Sequence, residues 1–391
     1  MYWYTLNLVV YSLVLHHNSG LQAMAFSFFK RKKDKKKKEG SNIPAYYELT
    51  VNEVIQETED AVSIVFDQPE MPINYESGQF LTLIAPIDGK EVRRAYSLFT
   101  SPFTDKDLGV TVKRVKDGLM SNYLCDQIKA GDTLRVMEPM GHFTTKFVAE
   151  NKRHLVIFGG GSGITPLMSI VKSLLNEEKE SIVSLMYANR NIDSIIFKDA
   201  FEKMESAFEG RLHVIHILDD APMNWQGPSG LLNKEMLEKL FERIPDWGID
   251  KTTYLMCGPE GMMNNVQTLL EDRSIPKEKT VRESFVAGIM NKPEKVTDAI
   301  VSREVTVVYD DEEFSFTVRP KNTILQTALD NDIDLPFSCQ SGLCTACRCK
   351  LDSGEIKMDE DEGLSESEKE DGYVLICVGH PLTDGVKLTV G

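Results

Sequence analysis

Phe337-Ser-Cys-Gln-Ser-Gly-Leu-Cys-Thr-Ala-Cys-Arg-Cys349 holds three cysteines as Cys339-x4-Cys344-x2-Cys347, and Cys377 follows after 29 intervening residues. This is the spacing of a [2Fe–2S] cluster. Two irons and two sulfides need four converging thiolates; a tight loop supplies three and a distant strand end the fourth. Gly342 and the small Ser341, Thr345 and Ala346 let backbone N–H groups approach the sulfurs. Four thiolates also suit tetrahedral zinc, but zinc ribbons usually pair two Cys-x2-Cys knuckles, and the second is missing. Cys349 falls outside the spacing and reads as a structural thiol. Upstream, Glu304–Tyr309 and Phe314–Val318 read as a hairpin and Thr323–Asn331 as a helix. The outline is a small β-grasp module over residues 303–391.

At 391 residues the chain is expected to hold two to four domains with sizeable cores. A net charge of −16 argues against nucleic acid as a general partner. The charge is uneven: from Arg303 onward eight Lys and Arg face nineteen Asp and Glu, leaving −11 there, while Lys30 to Lys38 holds eight basic residues and one acid. Seven cysteines, four committed to a cluster, imply a reducing compartment, and cytoplasmic location is expected. Residues 1–45 read as an N-terminal extension, disordered or arising from a misassigned start, with Met24 the more natural beginning. The apolar run Leu8 to Leu15 is too short to span a bilayer. Phe26, Phe28 and Phe29 beside the basic run allow weak contact with an anionic membrane surface; a solvated tail is the default.

Residues 46–150 show short alternating strands, among them Tyr47–Ile55, Ala61–Phe66, Gln79–Ile84, Gly109–Val115 and Thr133–Met137, the pattern of a small antiparallel barrel. In Arg94-Ala-Tyr-Ser97, Arg94 and Tyr96 share one strand face and Ser97 takes the other. Arg can fork onto a phosphate and Tyr offers a ring a flat face. Gly118-Leu119-Met120-Ser121 opens a helix expected near Ser121, and helix N-termini bind phosphates. Residues 151–287 alternate strands and helices, as in a doubly wound α/β domain. His154–Phe158 runs into a glycine loop, Gly159-Gly160-Gly161-Ser-Gly163-Ile-Thr165-Pro166, and then a helix, the arrangement that meets a pyrophosphate. Thr253–Cys257 ends in Gly258-Pro259. Arg190 sits past another strand end, and no acid is evident there to grip a ribose 2′-OH, which leans towards NADPH, with NADH possible. Residues 288–302 lack periodicity and read as a linker.

With these motifs in view, the chain from about Tyr46 onward resembles the ferredoxin–NADP⁺ reductase superfamily. It is most similar to oxygenase reductase components with a C-terminal [2Fe–2S] ferredoxin, such as those of ring-1,2-phenylacetyl-CoA epoxidases. The resemblance implies that Tyr96 stacks on the flavin of FAD, Arg94 binds its phosphate and Ser97 lies near N5. It implies that residues 118–121 hold the FAD pyrophosphate and that Gly160, Gly161, Gly163, Thr165 and Pro166 form the nicotinamide nucleotide loop. Cys257, Gly258 and Pro259 are then expected beside the nicotinamide, with Glu283 and Phe285 closing the flavin site. Gln340 stands where ferredoxins often carry Arg.

A nicotinamide gives up two electrons together and a [2Fe–2S] centre takes one, so a flavin between them is required by the chemistry. The expected function is transfer from NAD(P)H through FAD and the cluster to an oxygenase. Alternatives are a reductase for a desaturase or hybrid-cluster protein, or an electron-transfer subunit of a fixed complex. Plainer readings stand beside these: Cys257 as a small buried side chain, Glu283 as a surface acid, Phe285 as core, and Asp359 to Glu362 as a solvated loop or a docking patch for a basic partner.

Overall fold

The computed structural model describes residues 44–285, 301–361 and 363–390. All of the N-terminal extension but residues 44 and 45, and nearly all of the expected linker, lie outside them.

Alternation of β-branched and polar side chains produces β1 (Tyr46–Thr58), β2 (Ala61–Phe66), β3 (Phe80–Ile87), β4 (Lys90–Ser97), β5 (Leu108–Lys113) and β6 (Thr133–Met140). They form one antiparallel sheet in the order β4-β3-β6-β1-β2-β5. β1 is long because it serves two neighbours: its first half pairs with β6, and past an irregularity near Val51 its second half pairs with β2. The sheet closes where Leu98 bridges Val110 and the Phe99 N–H donates to the Gly109 carbonyl at 3.0 Å. Leu49, Ile64, Phe66, Leu81, Leu83 and Val110 fill the interior. Helix α1 (Leu119–Gln127) adds Met120 and Leu124 to that core. It begins two residues before Ser121, because Gly118 occupies the cap position and the Ser121 hydroxyl accepts instead from the Val115 N–H at 3.0 Å.

The second sheet is parallel throughout, in the order β11-β10-β7-β8-β9: β7 (His154–Gly160), β8 (Ile182–Asn189), β9 (Leu212–Leu218), β10 (Thr252–Cys257) and β11 (Thr280–Glu283). α2 (Ile164–Glu177) and α3 (Lys198–Ala207) pack on one side of it, α4 (Lys234–Phe241) and α5 (Glu260–Asp272) on the other. β7 is buried along its whole length, which its apolar run requires. Strand order reverses between β7 and β10, so their carboxyl ends flank the crevice where doubly wound sheets bind ligands.

The third unit is the β-grasp module. β12 (Arg303–Tyr309) and β13 (Glu312–Val318) make the hairpin, and α6 (Ile324–Asp330) is capped by Thr323, whose hydroxyl accepts from the Gln326 N–H at 3.1 Å. β14 (Arg348–Ser353), β15 (Ile356–Met358), α7 (Glu366–Glu370), β16 (Tyr373–Leu375), β17 (Gly379–Pro381) and β18 (Val386–Val390) complete it. The main sheet runs β13-β12-β18-β14-β16, with β15 and β17 as a separate ribbon.

Candidate flavin, nucleotide and cluster sites

The cysteine loop leaves α6 and returns into β14, while Cys377 lies in the turn after β16. Cys344, Cys347 and Cys377 are buried and Cys339 is partly buried. The four thiols are in mutual contact, Cys339 with Cys344 and Cys377, and Cys377 with Cys347. Hydrogen bonds from Cys344 and Cys377 hold the Cys339 thiol well below the ordinary thiol range. The Cys339 sulfur also accepts the Ser341 N–H at 3.4 Å. Gln340 (φ 55) and Gly342 (φ +75) are both left-handed, which curls the backbone around that sulfur. A Cβ on Gly342 would meet the Glu360 carbonyl oxygen at 2.8 Å, so the acidic stretch packs against the loop there. Sulfurs that touch one another and accept a backbone N–H are a donor set for [2Fe–2S]. Cys349 belongs to the module's core, fully buried, its Sγ donating to the Cys347 carbonyl at 3.7 Å.

On β4, Arg94 and Tyr96 pair across from Leu83 and Leu81, while Arg93, Ala95 and Ser97 pair across from Ile84, Thr82 and Phe80. Directly opposed residues share a face, so Arg94 and Tyr96 occupy one face and Ser97 the other. Arg94 is exposed, its Nη1 donating to the Arg93 carbonyl at 2.7 Å. Tyr96 is half-buried; burial pushes its phenol up, against the pull of Arg94. Ser97 is buried. In residues 118–121, Met120 is core, Leu119 is exposed and the Ser121 hydroxyl is engaged, which leaves backbone N–H groups as the anion-facing donors. α1 has no side-chain cap, so its first-turn N–H groups are the ones a pyrophosphate would satisfy.

At the α/β crevice the glycines have separate reasons. A Cβ on Gly160 would meet Pro259 Cδ at 2.5 Å, one on Gly163 the Cys257 carbonyl oxygen at 2.2 Å, and one on Gly258 the Gly160 nitrogen at 2.9 Å. These three let the loops after β7 and β10 pack against each other. Gly161 (φ +52) faces open space, with Lys113 Nζ at 3.9 Å from its Cβ position the nearest atom. That is the cradle a phosphate would fill. The Tyr187 hydroxyl donates to the Gly161 carbonyl at 3.0 Å and fixes the loop. Thr165 and Pro166 are buried, and the Thr165 hydroxyl donates to the Ser162 carbonyl at 3.1 Å, so they shape the loop from behind.

Cys257 and Glu283 are register partners across β10 and β11. Cys257 is fully buried and packs in the core, as its plainer reading held; burial, then the charge of Glu283, pushes its thiol up. Glu283 is no surface acid. Its residue is partly accessible, yet Oε2 is buried with no partner among the described residues, and burial raises the carboxyl to about 8. Phe285 is 46% exposed, so its reading as core fails. Arg190 is exposed just past β8. The expectation that no acid stands beside it is corrected: Asp219 lies within its electrostatic reach, and the Asp220 N–H donates to the Arg190 carbonyl at 2.7 Å. Both acids arrive from β9, because parallel neighbours end side by side. Lys113, paired with Asp60 at 3.6 Å, was missed; only the meeting of β5 with the glycine loop marks it.

Three family profiles match the chain in order: Oxidoreductase FAD-binding domain over residues 47–145, Oxidoreductase NAD-binding domain over 157–268, and 2Fe-2S iron-sulfur cluster binding domain over 307–382. The ferredoxin reductase component of 3-ketosteroid-9-alpha-monooxygenase from Rhodococcus rhodochrous is 36% identical over 351 residues, 87% of this chain and 95% of that protein. One subunit of the 1,2-phenylacetyl-CoA epoxidase from Escherichia coli K12 is 32% identical over 346 residues, 87% of this chain and 96% of its own length. Among solved structures, phthalate dioxygenase reductase superposes with a TM-score of 0.55 at 21% identity, covering 88% of this chain and 97% of that one, a likeness of fold.

Proposed function

Because the chain belongs to the FAD- and [2Fe–2S]-containing reductase components of multicomponent oxygenases, we propose specific roles for its residues and a specific acceptor. When bound, NAD(P)H supplies electrons in pairs, and FAD followed by the cluster delivers them singly to the oxygenase. Cys339, Cys344, Cys347 and Cys377 hold the cluster. Arg94 and the first-turn N–H groups of α1 bind the FAD phosphates, Tyr96 offers its ring face to the flavin, and Ser97 provides a hydroxyl at the flavin's reactive edge. Gly161, with Lys113 above it, receives the nicotinamide nucleotide's phosphates. Gly258 and Pro259 bound the nicotinamide pocket, with Cys257 forming its buried wall. Glu283, neutral near pH 7, can donate a hydrogen bond there, and Phe285 closes the outer edge. Arg190 can take the 2′-phosphate of NADPH, while Asp219 beside it can accept from the 2′-hydroxyl of NADH, so the site has a group for either nucleotide.

The observation that carries the reading is the four touching thiols in a module already packed against the flavin barrel. Phenylacetyl-CoA epoxidase is the proposed acceptor; the 36% identity to the ketosteroid enzyme's reductase favours a ketosteroid oxygenase as a second reading. The test supplies the purified chain and NAD(P)H to each oxygenase component in turn and measures hydroxylated or epoxidised product. Turnover with the phenylacetyl-CoA enzyme alone supports the first reading. Turnover with neither, despite rapid ferricyanide reduction, rules out both acceptors.

A further inference from the structure

Two adjacent arginines on β4 have opposite fates. Arg94 is exposed; the Arg93 side chain is 2% exposed although it projects from the outside of the barrel sheet. What covers it is the β-grasp module. Arg93 Nη2 reaches Asp334 Oδ1 at 2.8 Å, its Nε donates to Glu91 Oε1 at 2.6 Å, and the guanidinium lies 4.5 Å from the centre of the Phe337 ring. Asp334 and Phe337 both lie on the strap that leads from α6 into Cys339. Beside this contact the Thr82 hydroxyl donates to Ser338 at 2.5 Å, and Phe80, Ile84, Met137 and Met140 form one buried cluster with Cys344 and Ala346. Arg93 Nη1 has no partner among the described residues. A buried guanidinium left partly unsatisfied is poor value as stabilisation; such groups are better suited to fixing one geometry.

We propose that Arg93 is a positioning residue that docks the ferredoxin module, cluster loop inward, on the sheet face that carries Ser97. This rests on the cluster and flavin roles given above. Arg93, Ala95 and Ser97 alternate along that one face, and Arg93 stands about 13 Å from Ser97 along the strand, at roughly 3.3 Å per residue. Phe80 lies directly across from Ser97 and shares a buried cluster with Cys344, so one aromatic side chain links the docked loop to Ser97, where the flavin's reactive edge would lie. A lysine could not replace this contact, since it lacks the planar fork and the stacking surface.

The test compares Arg93→Met and Asp334→Asn with the wild-type protein. Asp334 and Glu91 are 59% and 43% exposed, so Arg93→Met strands no buried carboxylate, and in Asp334→Asn the guanidinium keeps its ion pair with Glu91, so both variants should fold. Docking is read by amide hydrogen exchange in peptides covering Asp332 to Ser338, which needs no turnover. Electron transfer is read by anaerobic mixing with NADPH, following flavin and cluster absorbance separately. The expected result is at least tenfold faster exchange and tenfold slower cluster bleaching, with flavin bleaching within twofold of wild type. Unchanged exchange and unchanged cluster bleaching in protein with full flavin and cluster absorbance would overturn the proposal. Missing absorbance in the wild-type protein would instead count against the cofactor roles.

Discussion

The segment joining the barrel to the α/β domain is held by one buried ion pair, and Arg153→Met should expose its weight. Glu178 caps the end of α2, its side chain fully buried. Arg153 grips it twice, Nη2 to Oε1 at 2.7 Å and Nε to Oε2 at 3.0 Å, and also donates to Thr145 Oγ1 at 2.8 Å and the Lys146 carbonyl at 2.9 Å. Without it the carboxylate keeps Asn151, which donates to Oε1 at 2.8 Å. Removing one partner of a buried pair costs about 3–5 kcal/mol. At about 2–4 °C per kcal/mol for a unit of this size, melting should fall by roughly 6–20 °C. The assay is a thermal scan following release of FAD fluorescence, which reports the reductase half even if the modules melt separately. Arg153→Met with Glu178→Leu removes both charges and should recover most of the loss.

The same pair predicts a pH dependence. Burial alone would raise the Glu178 carboxyl, but its bonds to Arg153, Asn151 and Ser181 win and hold it below the ordinary carboxylate range. The unfolded chain therefore takes up the proton first as pH falls. The pair's stabilisation is complete near neutrality and lost as pH drops through the carboxylate range. The melting gap between wild type and Arg153→Met should narrow on acidification. A Tm loss under 3 °C for the single variant, or a double variant no better than it, would refute the account of a buried carboxylate dependent on Arg153.

Other outcomes follow from the sites. Serine at Cys339, Cys344, Cys347 or Cys377 should abolish or severely alter the iron–sulfur spectrum, whereas Cys349→Ser should keep it and leave flavin bound. Arg190→Ala should raise KM for NADPH more than for NADH, a bias checked by steady-state rates with both nucleotides. Glu283 has a carboxyl raised to about 8, so its ionisation costs stability as pH rises from about 4.5 towards 8; Glu283→Gln should flatten that decline in a melting series across pH. A chain ending near Met290 should bind FAD and reduce ferricyanide with NAD(P)H yet fail to support the oxygenase. It should also bind a hydrophobic dye more strongly than the full chain, since it uncovers Phe80, Ile84, Met137 and Met140.

What could be read from the sequence was local. The cysteine spacing names its own chemistry, and the apolar run of β7 entering glycines needs no tertiary knowledge to suggest a nucleotide loop. The misses share a cause: each depends on which element lies next door. β11 is four residues, Thr-Val-Arg-Glu, too short and polar to show a period, and it exists through its parallel pairing with β10. Asp219 reaches Arg190 only because β9 lies beside β8, and Lys113 meets Gly161 only because β5 ends near the α/β crevice. Arg93 and Arg94 make the point most sharply. Strand alternation separates them onto opposite faces, but two arginines in sequence are chemically identical, and the pattern does not say which face a second module will cover. The residue that looked like the functional one faces solvent, where a flavin phosphate can reach it. Its neighbour is enclosed by Asp334 and Phe337, about 240 residues further along the chain, so its role became readable only when the ferredoxin module was seen lying on the barrel.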